Sequence, residues 1–185
     1  MKEDVFESMN GKMDAAIASL QKELNRLRTG RASPALLEGI RVDYYGTPTP
    51  IQQTASVTIP ESRLIVIQPW DKSMIEHISK AIQKTNLGLT PSSDGNVIRI
   101  AIPSLTDDRR KELVKIVRKM GEEAKVGIRN TRREANESLK LLEKDKELSE
   151  DECRRAMDEV QKATDRKVKE IDDIVEEKRK EIVEK

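Results

Sequence analysis

The sequence predicts an α+β fold, in which an elongated antiparallel three-helix bundle carries a small inserted α/β domain that is rich in β-strand. Three observations support this prediction. The chain of 185 residues is 37% charged and only 2% aromatic, which is typical of long helices with charged outer faces. Apolar residues recur at helical spacing in three long segments. Short β-branched segments are confined to the region between the first and second of these.

The first long segment begins close to residue 1. Its apolar residues recur in steps of three and four, as on one face of an amphipathic helix: Phe6, Met9, Met13, Ile17, Leu20, Leu24 and Leu27. The sequence "RTGRASP" follows, and both its glycine and its proline favour an exit from helical dihedral angles. We therefore expect the first helix to end near Thr29.

From Arg41 the sequence becomes typical of short strands. The segments "RVDYYG", "TASVTI", "RLIVIQP" and "NVIRIAI" are rich in β-branched or aromatic residues and are bounded by Gly, Pro, Asn and Ser. Between the third and the fourth, "DKSMIEHISKAIQKTNLG" predicts a helix with Asp71 as its N-cap. Its apolar face is Met74, Ile75, Ile78 and Ile82. One helix packed on one small sheet is expected.

The aromatic residues of this region are predicted to have different environments. Trp70 is expected in the core of the small domain. Because successive strand residues face opposite sides of a sheet, one of Tyr44 and Tyr45 should be buried and the other exposed. The exposed tyrosine, together with Pro48 in the rigid turn "GTPTP", is a candidate contact for a partner.

Two further long helices complete the predicted bundle. The sequence "LTDD" supplies a threonine cap and two carboxylates, which places the start of the second near Asp107. Ser149 and Glu152 form a capping-box pattern at the start of the third. Helices of about 36 residues would be roughly 54 Å long at 1.5 Å per residue, which favours an elongated bundle. The stripe of the second helix is Leu113, Val117, Met120, Ala124, Ile128, Ala135, Leu139 and Leu142.

The order of these segments makes the small domain an insertion, because the first helix precedes the strands and its two partners follow them. We predict that residues 1–30 and 105–185 form the bundle and that residues 31–104 form the inserted domain. Two chain connections would then join the domains and act as a hinge. The candidate hinge residues are Gly30, Pro34, Pro103 and Ser104.

The net charge of +1 conceals a local excess of basic residues. Residues 109–140 carry 11 Lys and Arg against 5 Asp and Glu, whereas residues 141–185 carry 12 against 16. A second basic cluster, at Arg26, Arg28 and Arg31, follows the first helix. At about 100° per residue, one sector of the second bundle helix collects Lys111, Lys115, Arg118, Lys125, Arg129, Arg132, Arg133, Asn136 and Lys140.

Two interpretations of this basic sector remain open from the pattern alone. It is either a solvated face whose charges pair with neighbours such as Glu134 and Glu137, or a surface that binds RNA phosphates through guanidinium groups. The scarcity of aromatic residues favours structured, double-helical RNA over single-stranded bases, which are usually recognised by stacking.

Other chemistry has little support in the sequence. His77 is the only histidine and is expected at the surface, and Cys153 is the only cysteine, so no metal, cofactor or catalytic site is predicted. Phosphate-binding loops of the GxGxxG or GxxxxGK[ST] type are missing, which argues against nucleotide hydrolysis. We therefore do not expect an enzyme.

The start of the sequence is acidic, unlike a signal peptide, and no apolar run approaches the roughly 20 residues of a membrane span. A cytoplasmic protein without membrane contact is expected. The alternative to an RNA-binding bundle is a coiled-coil adaptor or holdase-type chaperone, which would expose its apolar stripes to client proteins and form oligomers.

Three stretches carry a resemblance to a known family: "LNRLRTGRASPALLEGIRVDYYGTPTP", "NLGLTPSSDGNVIRIAIPSLTDDRRKELVK" and "IRNTRREAN". With them the chain resembles the bacterial ribosome recycling factors over essentially its whole length. The resemblance implies an L-shaped, monomeric molecule with outer dimensions like those of transfer RNA. Such factors bind the ribosome after termination of translation. With elongation factor G, which hydrolyses GTP, they split the subunits and release mRNA and tRNA.

The resemblance also implies roles for individual residues. The bundle would lie on large-subunit ribosomal RNA, with Arg129 and Arg132 as the principal contacts, and the inserted domain would face the small subunit and elongation factor G. Further basic residues expected near the same RNA surface are Arg28, Arg31, Arg133 and, from the basic sector, Lys125.

Overall fold

The computed structural model describes residues 1–184. Its helices are α1 Lys2–Asn25, α2 Ile75–Gln83, α3 Asp107–Lys144 and α4 Glu150–Val183. Its strands are β1 Arg41–Tyr44, β2 Thr47–Pro50, β3 Ala55–Glu61, β4 Leu64–Pro69, β5 Pro91–Ser93 and β6 Ile98–Ala101. The chain divides into two compact units, of which one combines Met1–Leu24 with the chain from Asp108 onward and the other is Asn25–Asp107.

The first unit, which we call the bundle, buries the apolar stripes of α1, α3 and α4 against one another. Helix α1 runs antiparallel to α3 and parallel to α4. Met1 lies near Glu147, just after α3, and Lys12 pairs with Glu134, whereas Lys2 lies near Glu152 and Asp14 pairs with Lys167 of α4. The main buried side chains are Met9, Met13, Ile17, Leu20 and Leu24 of α1, Leu113, Val117, Ile128, Ala135 and Leu139 of α3, and Cys153, Ala156, Val160, Ala163, Ile171 and Ile182 of α4.

The starts of α3 and α4 agree with the sequence, but the end of α1 does not. Both halves of the capping box are present at α4, where Ser149 Oγ accepts from the backbone N–H of Glu152 and Glu152 Oε2 accepts from that of Ser149. The prediction that α1 ends near Thr29 was wrong, because the helix ends at Asn25. Thr29 is buried, and Ala32 N–H donates to Ser62 O at 2.7 Å, so the chain from residue 26 follows the second unit instead.

The second unit, which we call the inserted unit, contains two antiparallel sheets where one was expected. Strands β1 and β2 form a hairpin, and the other four form a sheet in the order β3-β4-β6-β5. The sequence prediction missed β2 and β5, which contain Pro48, Pro50 and Pro91. Proline lacks the N–H that a central strand needs, but β2 and β5 both lie at sheet edges, where it is tolerated.

The core of the inserted unit lies between α2 and the sheets. Strand alternation turns Ile65 and Ile67 of β4 and Ile98 and Ile100 of β6 inward, where all four are fully buried. Asp71 caps a short 3-10 turn, Lys72–Met74, that leads into α2, and its side chain accepts from Ser73 N–H at 3.0 Å. The predicted inward residues of this helix, Met74, Ile75, Ile78 and Ile82, are all buried.

The aromatic residues of the inserted unit depart from the predictions. Trp70 was expected in the core but is 70% exposed. Its N–H donates to Thr54 O, so it continues β4 by one residue, and because Ile65, Ile67 and Pro69 face inward, position 70 faces outward. One tyrosine was expected to be buried, yet Tyr44 is 37% and Tyr45 is 74% exposed. Tyr45 lies beyond the end of β1, in the turn to β2, so strand alternation does not decide its environment.

Gly121 of α3 packs against α4 without room for a side chain. A Cβ built on this glycine would lie 2.5 Å from Val175 Cγ2, well inside van der Waals contact, whereas a Cβ on Gly127 of the same helix would have no heavy atom within 4 Å. The absence of a side chain at residue 121 therefore allows Val175 of α4 to pack against the backbone of α3.

We predict that Gly121→Ala destabilises the bundle and that Gly127→Ala, the matched control, does not. Overpacking costs about 1–3 kcal/mol, which exceeds the gain of about 1 kcal/mol from replacing a helical glycine by alanine. Urea unfolding followed by circular dichroism measures both changes. Equal stability of the two variants would show that α3 and α4 are not in close contact at this glycine.

Candidate nucleic-acid interface

The outward face of α3 presents two arginines that the bundle does not use. Arg129 and Arg133 are four residues apart, so they lie on the same side of the helix. Both are exposed, and neither forms an ion pair or a side-chain hydrogen bond with another residue in the range 1–184. Each guanidinium therefore has its full set of donors available for an anion.

Arg132 lies at the edge of this face, beside α4. Its side chain is half-buried, and its Nη1 donates to Gln161 Oε1 at 3.3 Å. A guanidinium has five N–H donors in a fixed plane, so a single hydrogen bond orients the group and leaves other donors unused. This position differs from those of Arg129 and Arg133, because the Arg132 side chain is directed to α4.

Lys125 is not part of the outward line in which the sequence pattern placed it. Its side chain is only 13% exposed, and its ammonium group pairs with Asp172 of α4 and, at 3.1 Å, with Glu122. The hydrogen bond to Asp172 is the main cause of the raised pKa of Lys125. The ammonium group therefore holds α3 to α4.

Among residues 1–184, the Lys125 contact is one of three lysine–carboxylate pairs that join the bundle helices. Lys12 of α1 binds Glu134 of α3 at 2.5 Å, and Lys167 of α4 binds Asp14 of α1 at 2.6 Å. Each helix thus contributes one lysine and one acidic partner. Glu134, which the solvated-face interpretation paired with the basic sector, is directed to α1 instead and does not neutralise Arg129 or Arg133.

The sequence pattern did not identify the α4 residues that bind two of the basic side chains of α3. Gln161 and Asp172 are 11 residues apart, about three helical turns, so they share one face of α4 and meet Arg132 and Lys125 in turn. The 11-residue spacing is visible in the sequence, but its meaning depends on the antiparallel register of α3 and α4. Asn136 has a buried Oδ1 without a hydrogen-bond partner among the described residues, and nothing in the structure explains it.

The remaining predicted RNA contacts belong to the inserted unit. Arg28 donates from Nη2 to the carbonyl oxygen of Asn86 at 2.9 Å, so it ties the chain after α1 to the loop after α2. Arg31 is half-buried and has an interaction within the protein. Both side chains therefore have structural contacts that the sequence did not indicate.

The four candidate hinge residues also lie inside the inserted unit, between Asn25 and Asp107. Gly30 has a φ of +77°, and a Cβ there would be 3.1 Å from Leu105 Cγ. Pro34 begins a 3-10 turn capped by Ser33, and Pro103 and Ser104 are exposed. The structure therefore packs the two connections against each other at Gly30 and Leu105.

The described residues form no candidate metal site, and the only histidine and cysteine lie apart from the α3 face. Within residues 1–184, no three His, Cys, Asp or Glu side chains are grouped so that they could hold a metal ion. His77 is exposed, as expected, and Cys153 is a buried free thiol whose pKa is raised mainly by burial. None of the described helices combines the length and apolar character that crossing a bilayer requires.

Comparison with known proteins identifies the family of this chain. A sequence model described as ribosome recycling factor matches residues 20–183. A ribosome-recycling factor of Desulfatibacillum aliphaticivorans is 60% identical over 184 residues, with all of both chains covered. The chain belongs to the ribosome recycling factor family. A member from Syntrophomonas wolfei is 56% identical, again over 100% of both chains.

Solved structures of family members share the fold. A solution structure of a ribosome recycling factor superposes with a TM-score of 0.79 at 45% identity, covering 98% of this chain and 96% of the other. A second match, with a TM-score of 0.70, 44% identity and 99% of each chain covered, is the Thermus thermophilus factor, which is described with Escherichia coli elongation factor G as bound to the Escherichia coli post-termination complex. The α+β prediction is confirmed.

We predict that Lys125 and Asp172 are energetically coupled. In a double-mutant cycle with Lys125→Met and Asp172→Asn, the coupling energy should be about 0.5–1 kcal/mol, the range of a partly exposed ion pair. Urea unfolding of the four proteins measures it. Lys140→Met, an exposed α3 lysine without an ion pair to a described residue, should change stability by less than about 0.5 kcal/mol. Strict additivity of the two substitutions would mean that the pair does not form in solution.

Proposed function

We propose that this chain recycles ribosomes after termination. It binds the post-termination ribosome on large-subunit ribosomal RNA and, together with elongation factor G, splits the subunits so that mRNA and tRNA are released for a new round of translation. The observation that carries this proposal is the pair of unpaired, outward arginines on α3, Arg129 and Arg133, in a chain of the ribosome recycling factor family.

The chemistry of the α3 face suits the phosphate backbone of structured RNA. Guanidinium groups bind phosphate oxygens through two parallel hydrogen bonds, and a rigid helix holds several of them at fixed spacing. Arg132 would complete the contact from the groove beside α4. The three exposed aromatic residues all belong to the inserted unit, so the bundle offers no stacking platform for single-stranded bases.

The chain would contribute binding and force transmission but no bond chemistry. GTP hydrolysis would be supplied by elongation factor G, which is bound to the post-termination complex together with the Thermus thermophilus family member. Three long, mutually packed helices resist bending, so a push on the inserted unit can reach the RNA contacts. The connections around Gly30, Pro34, Pro103 and Ser104 would absorb the accompanying movement. With these partners the chain would act in the cytoplasm.

The structure disfavours the alternative of a coiled-coil adaptor or holdase chaperone. That alternative needs apolar stripes that remain open to clients. In the bundle the stripe residues Met13, Leu113, Val117, Ile128 and Leu139 are at most 1% exposed. Because its apolar stripes are buried within the bundle, the chain is expected to be a monomer.

We predict that the double substitution Arg129→Ala and Arg133→Ala weakens binding to purified large ribosomal subunits by about tenfold or more, because each lost phosphate contact is worth about 1 kcal/mol or more. Co-sedimentation measures the affinity, and circular dichroism should show unchanged helicity.

The matched control for this experiment is Arg166→Ala. Arg166 is an exposed arginine of α4, about 140° around that helix from Gln161 and therefore away from α3. It should bind like the unmodified chain. Equal losses of affinity in the control and the double variant would show that the effect comes from net charge alone. Unchanged binding of the double variant would refute the assignment of the α3 face as the RNA-binding surface.

A further inference from the structure

Among the three arginines Arg129, Arg132 and Arg133, the middle one is held by a neighbouring helix. Arg132 Nη1 donates to Gln161 Oε1 of α4 at 3.3 Å, whereas the other two have no hydrogen bond or ion pair to a residue in the range 1–184. The bonded residues are 29 positions apart, so the contact exists only when α3 and α4 are packed together. Helix packing therefore gives this guanidinium a direction before any RNA is bound.

The amide of Gln161 is itself oriented by a second contact. Its Nε2 donates to Asp165 Oδ1 at 2.8 Å, one turn further along α4. The donor and the acceptor of an amide are on separate atoms, so a nitrogen that faces the carboxylate leaves the oxygen to face Arg132. The reversed amide would place oxygen against carboxylate and N–H groups against guanidinium N–H groups. Asp165 thus selects the amide orientation in which Gln161 accepts from Arg132.

The contact with Gln161 leaves one edge of the Arg132 guanidinium available. The hydrogen bond uses a donor on Nη1, while Nε and Nη2 have no partner among the described residues. The N–H groups of Nε and Nη2 point the same way along one edge, where they match two oxygens of a carboxylate or phosphate. Arg179 of this chain binds Glu176 through these two nitrogens, at 2.8 and 2.6 Å. Arg132 keeps the same edge open for an anion outside the protein.

Residue 161 is uncharged, and this preserves the charge of Arg132. Asp172, eleven residues further along the same face of α4, is a carboxylate and forms an ion pair with Lys125. That contact neutralises the lysine. The amide of Gln161 orients the arginine without neutralising it, and no acid among residues 1–184 forms an ion pair with Arg132. Positions 161 and 172 therefore have different effects on the cations that they contact.

We propose that Gln161, oriented by Asp165, is a positioning residue that presents the Nε–Nη2 edge of Arg132 to a phosphate of large-subunit ribosomal RNA. This proposal rests on the proposed function, because it assigns the residues that prepare one of its RNA contacts. An arginine that is already oriented loses less rotamer freedom on binding. The saving corresponds to about two- to tenfold in affinity.

A double-mutant cycle tests whether Gln161 acts through Arg132. Gln161→Met, Arg132→Ala and the double variant are compared with the unmodified chain by co-sedimentation with purified large ribosomal subunits. Methionine keeps the length of the side chain and removes both polar atoms. Gln161→Met should weaken binding about two- to tenfold when Arg132 is present and should have no further effect in the Arg132→Ala chain. Unchanged binding by Gln161→Met overturns the proposal, and so does the same loss in both backgrounds, which is the result that a defect of folding would give.

Two substitutions of Asp165 separate positioning from charge. Asp165→Ala and Asp165→Asn both remove one negative charge, but only asparagine keeps an oxygen that can accept from Gln161 Nε2. Charge alone predicts that the two variants bind RNA equally. Positioning predicts that Asp165→Ala binds large subunits more weakly than Asp165→Asn, by about twofold or more, because a hydrogen bond that orients the amide is lost. Equal affinities, or tighter binding by Asp165→Ala, overturn the proposal.

The same sedimentation series distinguishes this proposal from the proposed function. It includes the double variant Arg129→Ala and Arg133→Ala, whose substituted residues do not contact Gln161. Failure of the unmodified chain to bind large subunits would contradict the proposed function. Binding that the double variant weakens and Gln161→Met leaves unchanged contradicts the positioning role alone.

Discussion

The roles of the basic side chains on α3 depend on which side of that helix is buried. One continuous apolar stripe, from Leu113 to Leu139, must pack against α1 and α4, and this requirement fixes the rotation of a helix of 38 residues about its axis. Once the rotation is fixed, Arg129 and Arg133 face outward and Lys125 faces α4. The same burial that stabilises the bundle therefore selects which cations of α3 remain exposed on its outer face.

The lysine–carboxylate pairs sharpen this selection. Burial alone tolerates sliding of one helix along another, but Lys12–Glu134, Lys125–Asp172 and Lys167–Asp14 each form only in one register. These three carboxylates are used between helices, and no acid among the described residues forms an ion pair with Arg129 or Arg133. In a chain with a net charge of +1, this arrangement keeps a local positive surface next to an otherwise balanced exterior.

Local signals predicted much of the fold. Apolar periodicity gave the bundle helices, and the Ser149–Glu152 box gave the start of α4, because both depend only on residues within a few turns. Features set by distant contacts were not predictable. The end of α1 at Asn25 depends on bonds from the following segment to Ser62 and Asn86, and the inward direction of Lys125 depends on the register of α4. The prediction that Trp70, before the Asp71 cap, is buried was wrong, because the position after the inward-facing Pro69 faces outward.

We propose that packing, rather than charge alone, decides which basic residues of α3 bind RNA. The most direct test is the salt dependence of affinity for large ribosomal subunits, compared among the unmodified chain, Arg133→Ala and Lys125→Gln. Each phosphate contact contributes about 0.7–0.9 to the slope of log K against log salt. The slope should decrease by about that amount for Arg133→Ala and stay unchanged for Lys125→Gln. An equal decrease for both variants would contradict the account.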